Sequence, residues 1–125
     1  MVKFLSDEYF SLVQTALNQD AKWSESIKNF KSSMAINVTD IGQSYLLSVE
    51  NGSSNLQKVA PGAAAEFTLD GTYDAWAKVA KGELDIQSAV LRGQLKFKGS
   101  LVKALSYKDR FMRIAEILRD VPKEY

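Results

Sequence analysis

The sequence contains no cysteine and no histidine among its 125 residues. Without cysteine there are no disulfides, thiolate nucleophiles or cysteine-based zinc sites. Without histidine the chain lacks the commonest general base, the serine–histidine–aspartate triad and imidazole ligands for metals. The most familiar arrangements for catalysis are therefore excluded, and we predict a protein that is not an enzyme and that uses no cofactor.

An excess of charge of either sign is also missing. Sixteen Lys and Arg residues offset fifteen Asp and Glu residues, which leaves a formal net charge of +1. Nucleic-acid-binding domains normally carry a strongly basic stripe, so this balance disfavours a nucleic-acid partner. No apolar run approaches the roughly 18 residues of a membrane span, and the first ten residues turn acidic too early for a secretory signal. We therefore expect a cytoplasmic protein.

The composition is that of an ordinary globular protein, with 46% hydrophobic and 25% charged residues. The length suits one hydrophobic core, and no repeat or low-complexity segment divides the chain. We therefore expect residues 1–125 to form a single domain.

The first half of the chain predicts two helices followed by four strands. Ser6 is placed to cap a helix that runs to about Gln19, and helical spacing continues over residues 21–30. The apolar period then changes to two, and the sequence NGSS predicts a tight hairpin turn. Because the connections are short, we expect an antiparallel meander. The predicted strands cover residues 34–38, 45–49, 56–59 and 65–69.

The second half predicts helices that cover one face of this sheet. Thr72, Asp85 and Ser100 are each placed to cap a helix, and Gly82 and Gly93 to end the first two. The stretch QLKFK alternates once more and predicts a fifth strand. A final helix has a wide apolar face, which suggests a lid. The order of elements predicts an α+β fold with helices packed on one face of a five-stranded sheet.

Four carboxylates lie within sixteen positions: Asp70, Asp74, Glu83 and Asp85. Such a group can perform acid–base chemistry or bind a hard cation through oxygen. However, Asp70 precedes a turn glycine, Asp74 lies in the first turn of a helix and Asp85 is a helix cap. We favour these structural roles and predict no catalytic and no metal-binding residue.

The stretch GELDIQSAVLRGQLKFKGS combines three glycines with many apolar residues. It fits neither the phosphate-binding loop nor the dinucleotide-binding fingerprint, so its glycines are best explained as helix and strand ends. Lys96 and Lys98 lie on one side of its strand. They suit either an anionic head group, through a transient contact with a membrane surface, or a solvated face, which we favour. The apolar residues fit a packed core, which we favour from their periodicity alone, or a lined cavity.

Residues 67–105, which read FTLDGTYDAWAKVAKGELDIQSAVLRGQLKFKGSLVKAL, resemble the sterol carrier protein type 2 family. That family has a helix ending in Ala-x-Gly-Lys-Leu-Asp/Asn-Pro and then a short helix with a central alanine. Here residues 80–85 read AKGELD, with Glu83 in place of the usual lysine and Ile86 in place of the usual proline, and Ala89 is the central alanine.

A second motif of the family, Gly-Lys-Leu-Lys-Ile-x-Gly, resembles residues 93–99, which read GQLKFKG. Gln94 and Phe97 are mild departures. The specific signal covers about a third of the chain, and the first sixty residues agree only in the order of their elements.

The resemblance implies a mostly antiparallel five-stranded sheet whose helices enclose an apolar tunnel. It also implies non-catalytic binding and transfer of a small hydrophobic ligand: a fatty acid, a fatty acyl-CoA, a sterol-like molecule or a phospholipid. Two alternatives stay open, an accessory domain that presents an apolar surface to a partner enzyme and, less favoured, an enzyme using Asp74 or Asp85. The oligomeric state is not predicted. We expect the site to be lined by Trp76, Ile86, Val90, Leu95, Phe97, Leu101, Leu105, Phe111 and Met112.

Overall fold

The computed structural model describes residues 2–125, and Met1 lies outside the described residues. Within this range the chain forms helices and strands in the order that an α+β fold requires. The elements are α1 (Asp7–Gln19), α2 (Ala21–Ser26), β1 (Lys31–Val38), β2 (Gln43–Glu50), β3 (Ser53–Val59), β4 (Phe67–Gly71), α3 (Tyr73–Ala80), α4 (Ile86–Leu91), β5 (Lys96–Lys98), α5 (Leu101–Ser106) and α6 (Lys108–Asp120). The predicted α+β class and the five strands are confirmed.

The five strands form one mixed sheet in the order β3-β2-β1-β4-β5. β1 pairs with β2, β2 with β3 and β4 with β5 in antiparallel orientation, whereas β1 and β4 are parallel. The predicted hairpin is present, since Asn51 and Gly52 join β2 to β3 with φ angles of 46° and 87°. The predicted meander is wrong at its last step, because β4 lies beside β1 and not beside β3.

The position of β4 follows from where its apolar side chains find partners. Phe67 and Leu69 of β4 lie in register with Met34 and Ile36 of β1, and all four are buried. β3 would be a poorer neighbour for β4. On the face of β3 that points to the core, Leu56 is the one apolar side chain, and it lies between Ser54 and Lys58. The loop over residues 60–66 is long enough to carry the chain across β2 and β1. Apolar burial therefore decides the strand order.

The hydrophobic core lies between the helices and one face of the sheet. It joins inward-facing residues of β1, β2 and β4, such as Tyr45 and Phe67, to Val13 of α1 and Ile117 of α6. The opposite face of the sheet carries polar side chains, for example Asn37, whose amide donates a 2.6 Å hydrogen bond to the carboxylate of Asp70. Helices on one face of the sheet are thus confirmed. That residues 1–125 form one domain stays a prediction.

The second helix is shorter than predicted. Helical spacing extends to residue 30, but α2 ends at Ser26, and Asn29 has a φ of 57° in the turn that follows. Asparagine tolerates this left-handed conformation better than most residues, so Asn29 can form the turn that leads from the end of α2 into β1. The inward positions persist across the turn, and Trp23 and Ile27 are both buried.

A bidentate ion pair ties the start of α2 to α6. The guanidinium of Arg113 donates from Nε to Oδ2 of Asp20 at 2.9 Å and from a terminal nitrogen to Oδ1. The same carboxylate accepts a 2.7 Å hydrogen bond from the backbone N–H of Trp23 and so caps α2. The hydrogen bond from Arg113, reinforced by that from Trp23, holds the pKa of Asp20 below its ordinary value.

We expect Asp20→Asn to lower the free energy of unfolding by about 1.5 kcal/mol at about pH 7, because asparagine keeps the helix cap but loses the charged partner of Arg113. Because the pKa of the Asp20 carboxyl is lower in the folded than in the unfolded chain, the ionised carboxylate stabilises the fold at pH values above the unfolded-state pKa. This stabilisation is lost as the pH falls through the folded-state pKa. The difference between the two proteins, measured by urea unfolding, should therefore be smaller at about pH 3 than at about pH 7. A difference that is the same at both pH values would contradict this assignment.

Candidate functional site

Side-chain caps set the start of three of the four helices in the second half, α3, α4 and α5. The hydroxyl of Thr72 accepts from the N–H of Ala75 at 3.2 Å, and Oδ2 of Asp85 accepts from the N–H of Ser88 at 3.0 Å. The hydroxyl of Ser100 accepts from the N–H of the third residue of α5 at 3.3 Å. All three predicted caps are confirmed. They determine where α3, α4 and α5 begin, and α4 and α5 come before and after β5 in the chain.

A pocket of about 240 Å³ lies between the β4–β5 edge of the sheet and the helices α4, α5 and α6. Leu69 and Phe97 supply its floor from the two strands. Several of its wall residues are also exposed, so the pocket opens to the surface between α4 and α5. Its lining comprises Leu69, Asp85, Ile86, Gln87, Val90, Leu91, Phe97, Leu101, Ala104, Leu105, Lys108, Phe111, Met112 and Ala115.

An aromatic cluster holds the pocket floor and one wall in place. Phe67 is buried beneath the pocket, and its ring centroid lies 5.7 Å from that of Phe97 and 5.6 Å from that of Phe111. The rings of Phe67 and Tyr107 also meet edge to face at 5.6 Å. Such aromatic pairs add stability beyond the area they bury. Phe97 and Phe111, which line the pocket, are therefore held in position by the buried ring of Phe67.

The wall of the pocket is apolar and its polar residues lie at the rim. Among the lining residues that the structure describes, Asp85, Gln87 and Lys108 are polar, and all three are exposed. One oxygen of Asp85 is already engaged, because it caps α4. The interior thus favours apolar groups, and polar groups are favoured where the pocket meets solvent.

The structure brings seven of the nine predicted site residues around this pocket. They are Ile86, Val90, Phe97, Leu101, Leu105, Phe111 and Met112. The other two, Trp76 and Leu95, are buried in the core, where a Cβ atom built on Gly71 would lie 2.4 Å from Cδ2 of Leu95 and 3.0 Å from Nε1 of Trp76. The indole N–H of Trp76 donates to the backbone carbonyl of Asn37 at 3.1 Å. Their prediction as lining residues is not supported.

Four apolar lining residues were not predicted: Leu69, Leu91, Ala104 and Ala115. Leu69 has the alternation of a core strand, and Leu91 immediately follows Val90 at the end of α4. Ala104 and Ala115 are small, and small side chains leave the space that a cavity occupies. Ala115 alone carries a helical signal, since it follows Phe111 of the same helix by four positions.

The family model described as the SCP-2 sterol transfer family matches residues 13–112. The chain belongs to this family. The match covers α2 to α5, all five strands and every pocket-lining residue except Ala115, so the resemblance noted in residues 67–105 is confirmed over most of the chain. No curated protein is similar enough in sequence to match the chain.

Solved structures of the SCP-2 type share the fold of this chain. A crystal structure of sterol carrier protein 2 has a TM-score of 0.81 at 20% identity, covering 96% of this chain and all of that one. A conserved hypothetical protein of Thermus thermophilus has a TM-score of 0.83 at 20% identity, covering 99% of this chain and 93% of that one. The sec-alkyl sulfatase PisA1 has a TM-score of 0.67 at 18% identity, covering 97% of this chain but only 17% of the sulfatase. The fold can thus form part of a larger enzyme.

The acidic residues of this SCP-2 domain do not form a cluster. Asp70 lies 3.9 Å from the ammonium of Lys98, and Asp74 lies 3.5 Å from that of Lys78 one helical turn away. Within residues 2–125, no group of three or more acidic side chains is placed to hold a metal ion. The structural roles that we favoured for Asp70, Asp74 and Asp85 agree with these contacts.

The last helix is anchored, which disfavours the predicted lid. Side-chain hydrogen bonds hold α6 at three of its turns. Arg113 binds Asp20, and Nε of Arg110 donates to the carbonyl of Ser26 at 2.8 Å. The buried hydroxyl of Tyr9 donates to the carbonyl of Leu118 at 2.9 Å. By contrast, α5 has no fully buried residue. The mobile wall of the pocket is therefore expected at α5. No helix in the described part of the chain is long and apolar enough to cross a bilayer.

Proposed function

We propose that this protein binds one acyl chain of a lipid in the pocket between the sheet and α4 to α6, and transfers it without chemical change. The observation that carries the proposal is an apolar pocket of about 240 Å³ with polar residues confined to its rim. A fatty acid, a fatty acyl-CoA or a phospholipid would place its chain inside and its head group in water near Lys108. A sterol-like molecule is the further candidate. Binding without catalysis, in one cytoplasmic domain, completes the proposal.

The volume and the apolar lining of the pocket suit the transfer of one acyl chain from water into the pocket. Sites for drug-sized ligands span about 300–1,000 Å³, and this pocket lies just below that range. Burying one methylene contributes about 0.8 kcal/mol, so about ten methylenes gain about 8 kcal/mol before the cost of immobilising the ligand. That gain sets about 1 μM as the lower limit of the dissociation constant, which we expect in the micromolar range. Because the wall recognises no particular polar group, selectivity between chains should be loose.

Titration with a fluorescent fatty acid analogue tests this proposal. We expect one binding site, a dissociation constant in the micromolar range and displacement by unlabelled fatty acid. A soluble head-group mimic without a chain, such as acetate or phosphocholine, serves as the control and should not displace the probe. Absence of saturable uptake by the folded protein would contradict the proposal.

The partition mechanism predicts a graded dependence on chain length. Each added methylene should lower the dissociation constant about threefold to fourfold until the pocket is full, and further methylenes should have little effect. Calorimetric titration with saturated fatty acids of increasing length measures this slope. An affinity that does not change with chain length would show that the head group, and not the apolar pocket, controls binding.

A second candidate function is that of an accessory domain for a partner enzyme. The observation that favours it is the sec-alkyl sulfatase PisA1, in which this fold is a minor part of the chain. Capture of a stoichiometric partner enzyme whose activity depends on this protein, together with no lipid uptake, would favour this role. Catalysis by the chain itself is the third alternative. If Asp74→Asn and Asp85→Asn leave every measured activity unchanged, that alternative is removed.

A further inference from the structure

The mouth of the pocket is surrounded by exposed aliphatic side chains. Leu91 and Val102 are 80% and 79% exposed, Leu101 and Leu105 are 63% and 62% exposed, and Met112 is 50% exposed. We call these five residues the rim patch. Four of them line the pocket, and Val102 lies beside them on α5 without lining it. Large apolar residues gathered at one place on a surface mark an interaction site.

The segment that carries the rim patch is strongly basic, although the whole chain is not. Residues 91–112 contain six Lys or Arg residues and one Asp, a net charge of +5, while the chain as a whole carries +1 and the remaining residues therefore −4. Arg92 follows Leu91, Lys103 follows Val102 and Lys108 lines the pocket. Arg110 is turned inward, with its guanidinium 4.0 Å from the ring centroid of Phe30. Five basic side chains of this segment are left exposed, and two of them, Lys98 and Lys103, lie 3.9 and 3.6 Å from the carboxylates of Asp70 and Glu66 in surface ion pairs.

We propose that the rim patch docks this protein on an anionic lipid bilayer, with the pocket mouth against the membrane. α5 would lie in the interface, its aliphatic residues inserted among the acyl chains and Lys103 directed to the lipid phosphates. Interfacial helices combine these features, an apolar side and a basic polar side. Docking in this orientation brings the pocket mouth to the level of the acyl chains. The docking step goes beyond the proposed lipid uptake and does not depend on which lipid the pocket takes.

The composition of the rim patch favours a bilayer over a protein partner. Protein interfaces are enriched in aromatic residues and depleted in lysine at their centre. The rim patch has no aromatic member, and lysine residues lie within the same short helix and at the pocket rim. Against an anionic membrane each nearby Lys or Arg raises the affinity about fivefold. A second copy of this chain would instead bring two basic segments together, which is unfavourable.

Flotation with lipid vesicles tests the docking surface. The full-length protein should bind vesicles of phosphatidylcholine containing roughly one third phosphatidylglycerol, and should bind pure phosphatidylcholine vesicles at least tenfold more weakly. Binding to the anionic vesicles should fall as salt is added. Val102→Asp should weaken it about tenfold or more, because a charge replaces an inserted aliphatic side chain, and Arg92→Glu should also weaken it about tenfold or more.

Leu12→Asp provides the matched control. Leu12 is also exposed, but it lies on α1, which packs on β3 at the edge of the sheet opposite β5. Its replacement should leave vesicle binding unchanged. Equal binding to neutral and anionic vesicles, or a loss with Leu12→Asp and not with Val102→Asp, would overturn the proposal.

The same variants separate docking from lipid uptake and from self-association. Because Val102 does not line the pocket, Val102→Asp should bind the fluorescent fatty acid in solution as tightly as the original protein. If uptake fails in both proteins while vesicle binding still depends on Val102, the proposed function fails and the docking surface stands. If light scattering shows a dimer that Val102→Asp dissociates, and vesicle binding is unchanged, the patch is a contact between copies and the docking proposal fails.

Discussion

Ala115→Trp will strongly weaken lipid binding and leave the fold intact. Ala115 lies on α6, is only partly buried and lines the pocket, so a larger side chain has the pocket itself to extend into. An indole there occupies space that an acyl chain would need. We expect the affinity for a fatty acid to fall about 100-fold, which corresponds to about 3 kcal/mol. Filling a cavity often stabilises a protein, so the melting temperature should stay unchanged or rise.

The control for this substitution is Asp109→Trp, which introduces the same side chain on the same helix. Asp109 is exposed and does not line the pocket. Its replacement should leave the affinity for the fluorescent fatty acid unchanged. If Ala115→Trp binds lipid as well as the original protein, the ligand lies elsewhere and the pocket assignment is wrong.

Gly99→Ala will cause the largest loss of stability among the single substitutions considered. Gly99 joins β5 to α5 with a φ of 136°, and a Cβ atom there would lie 2.9 Å from the carbonyl oxygen of Glu66 and 2.9 Å from Cδ1 of Phe67. The carbonyl belongs to the backbone and Phe67 is buried, so neither can move easily. Backbone strain and overpacking together should cost about 3 kcal/mol.

The matched control is Gly93→Ala, which lies in the same motif. Gly93 also has a positive φ, 75°, but a Cβ atom there would contact nothing within 4 Å. Gly93→Ala should therefore cost only the energy of placing an alanine in the left-handed conformation, about 1 kcal/mol. Urea unfolding of both variants measures the difference. Equal losses would show that the close approach at Gly99 carries no cost, and that the packing of the strand end against Phe67 is looser than described.

The features that could be predicted from sequence are those set by neighbouring residues. Thr72, Asp85 and Ser100 cap their helices because a side-chain oxygen needs only the backbone N–H three residues ahead. The Asn51–Gly52 turn is local in the same sense. The motifs of residues 80–100 gave the family, since they combine such local features in a fixed order. These predictions did not require the tertiary structure.

The features that could not be predicted depend on contacts between distant segments. The parallel pairing of β1 with β4 is decided by competition between two sheet edges, which alternation within one strand does not describe. Trp76 and Leu95 have the same apolar periodicity as the lining residues, so sequence could not place them in the core. The tunnel implied by the resemblance stays a prediction, because the described residues enclose a pocket with one open side. Ala104 and Ala115 line the pocket and leave space for it because their side chains are small. A search for apolar helical faces selects large side chains and so overlooks these two.

The central claim is that one acyl chain occupies the pocket between the sheet and α4 to α6. The most direct measurement is by NMR, as magnetisation transfer between the chain of a bound, isotope-labelled fatty acid and the methyl groups of the protein. The account predicts contacts to the methyl groups of Ala104, Met112 and Ala115. It predicts none to the methyl groups of Leu17, which lies on the buried face of α1. Contacts at other sites without any at these three methyl groups, or no bound chain at saturating fatty acid, would contradict it.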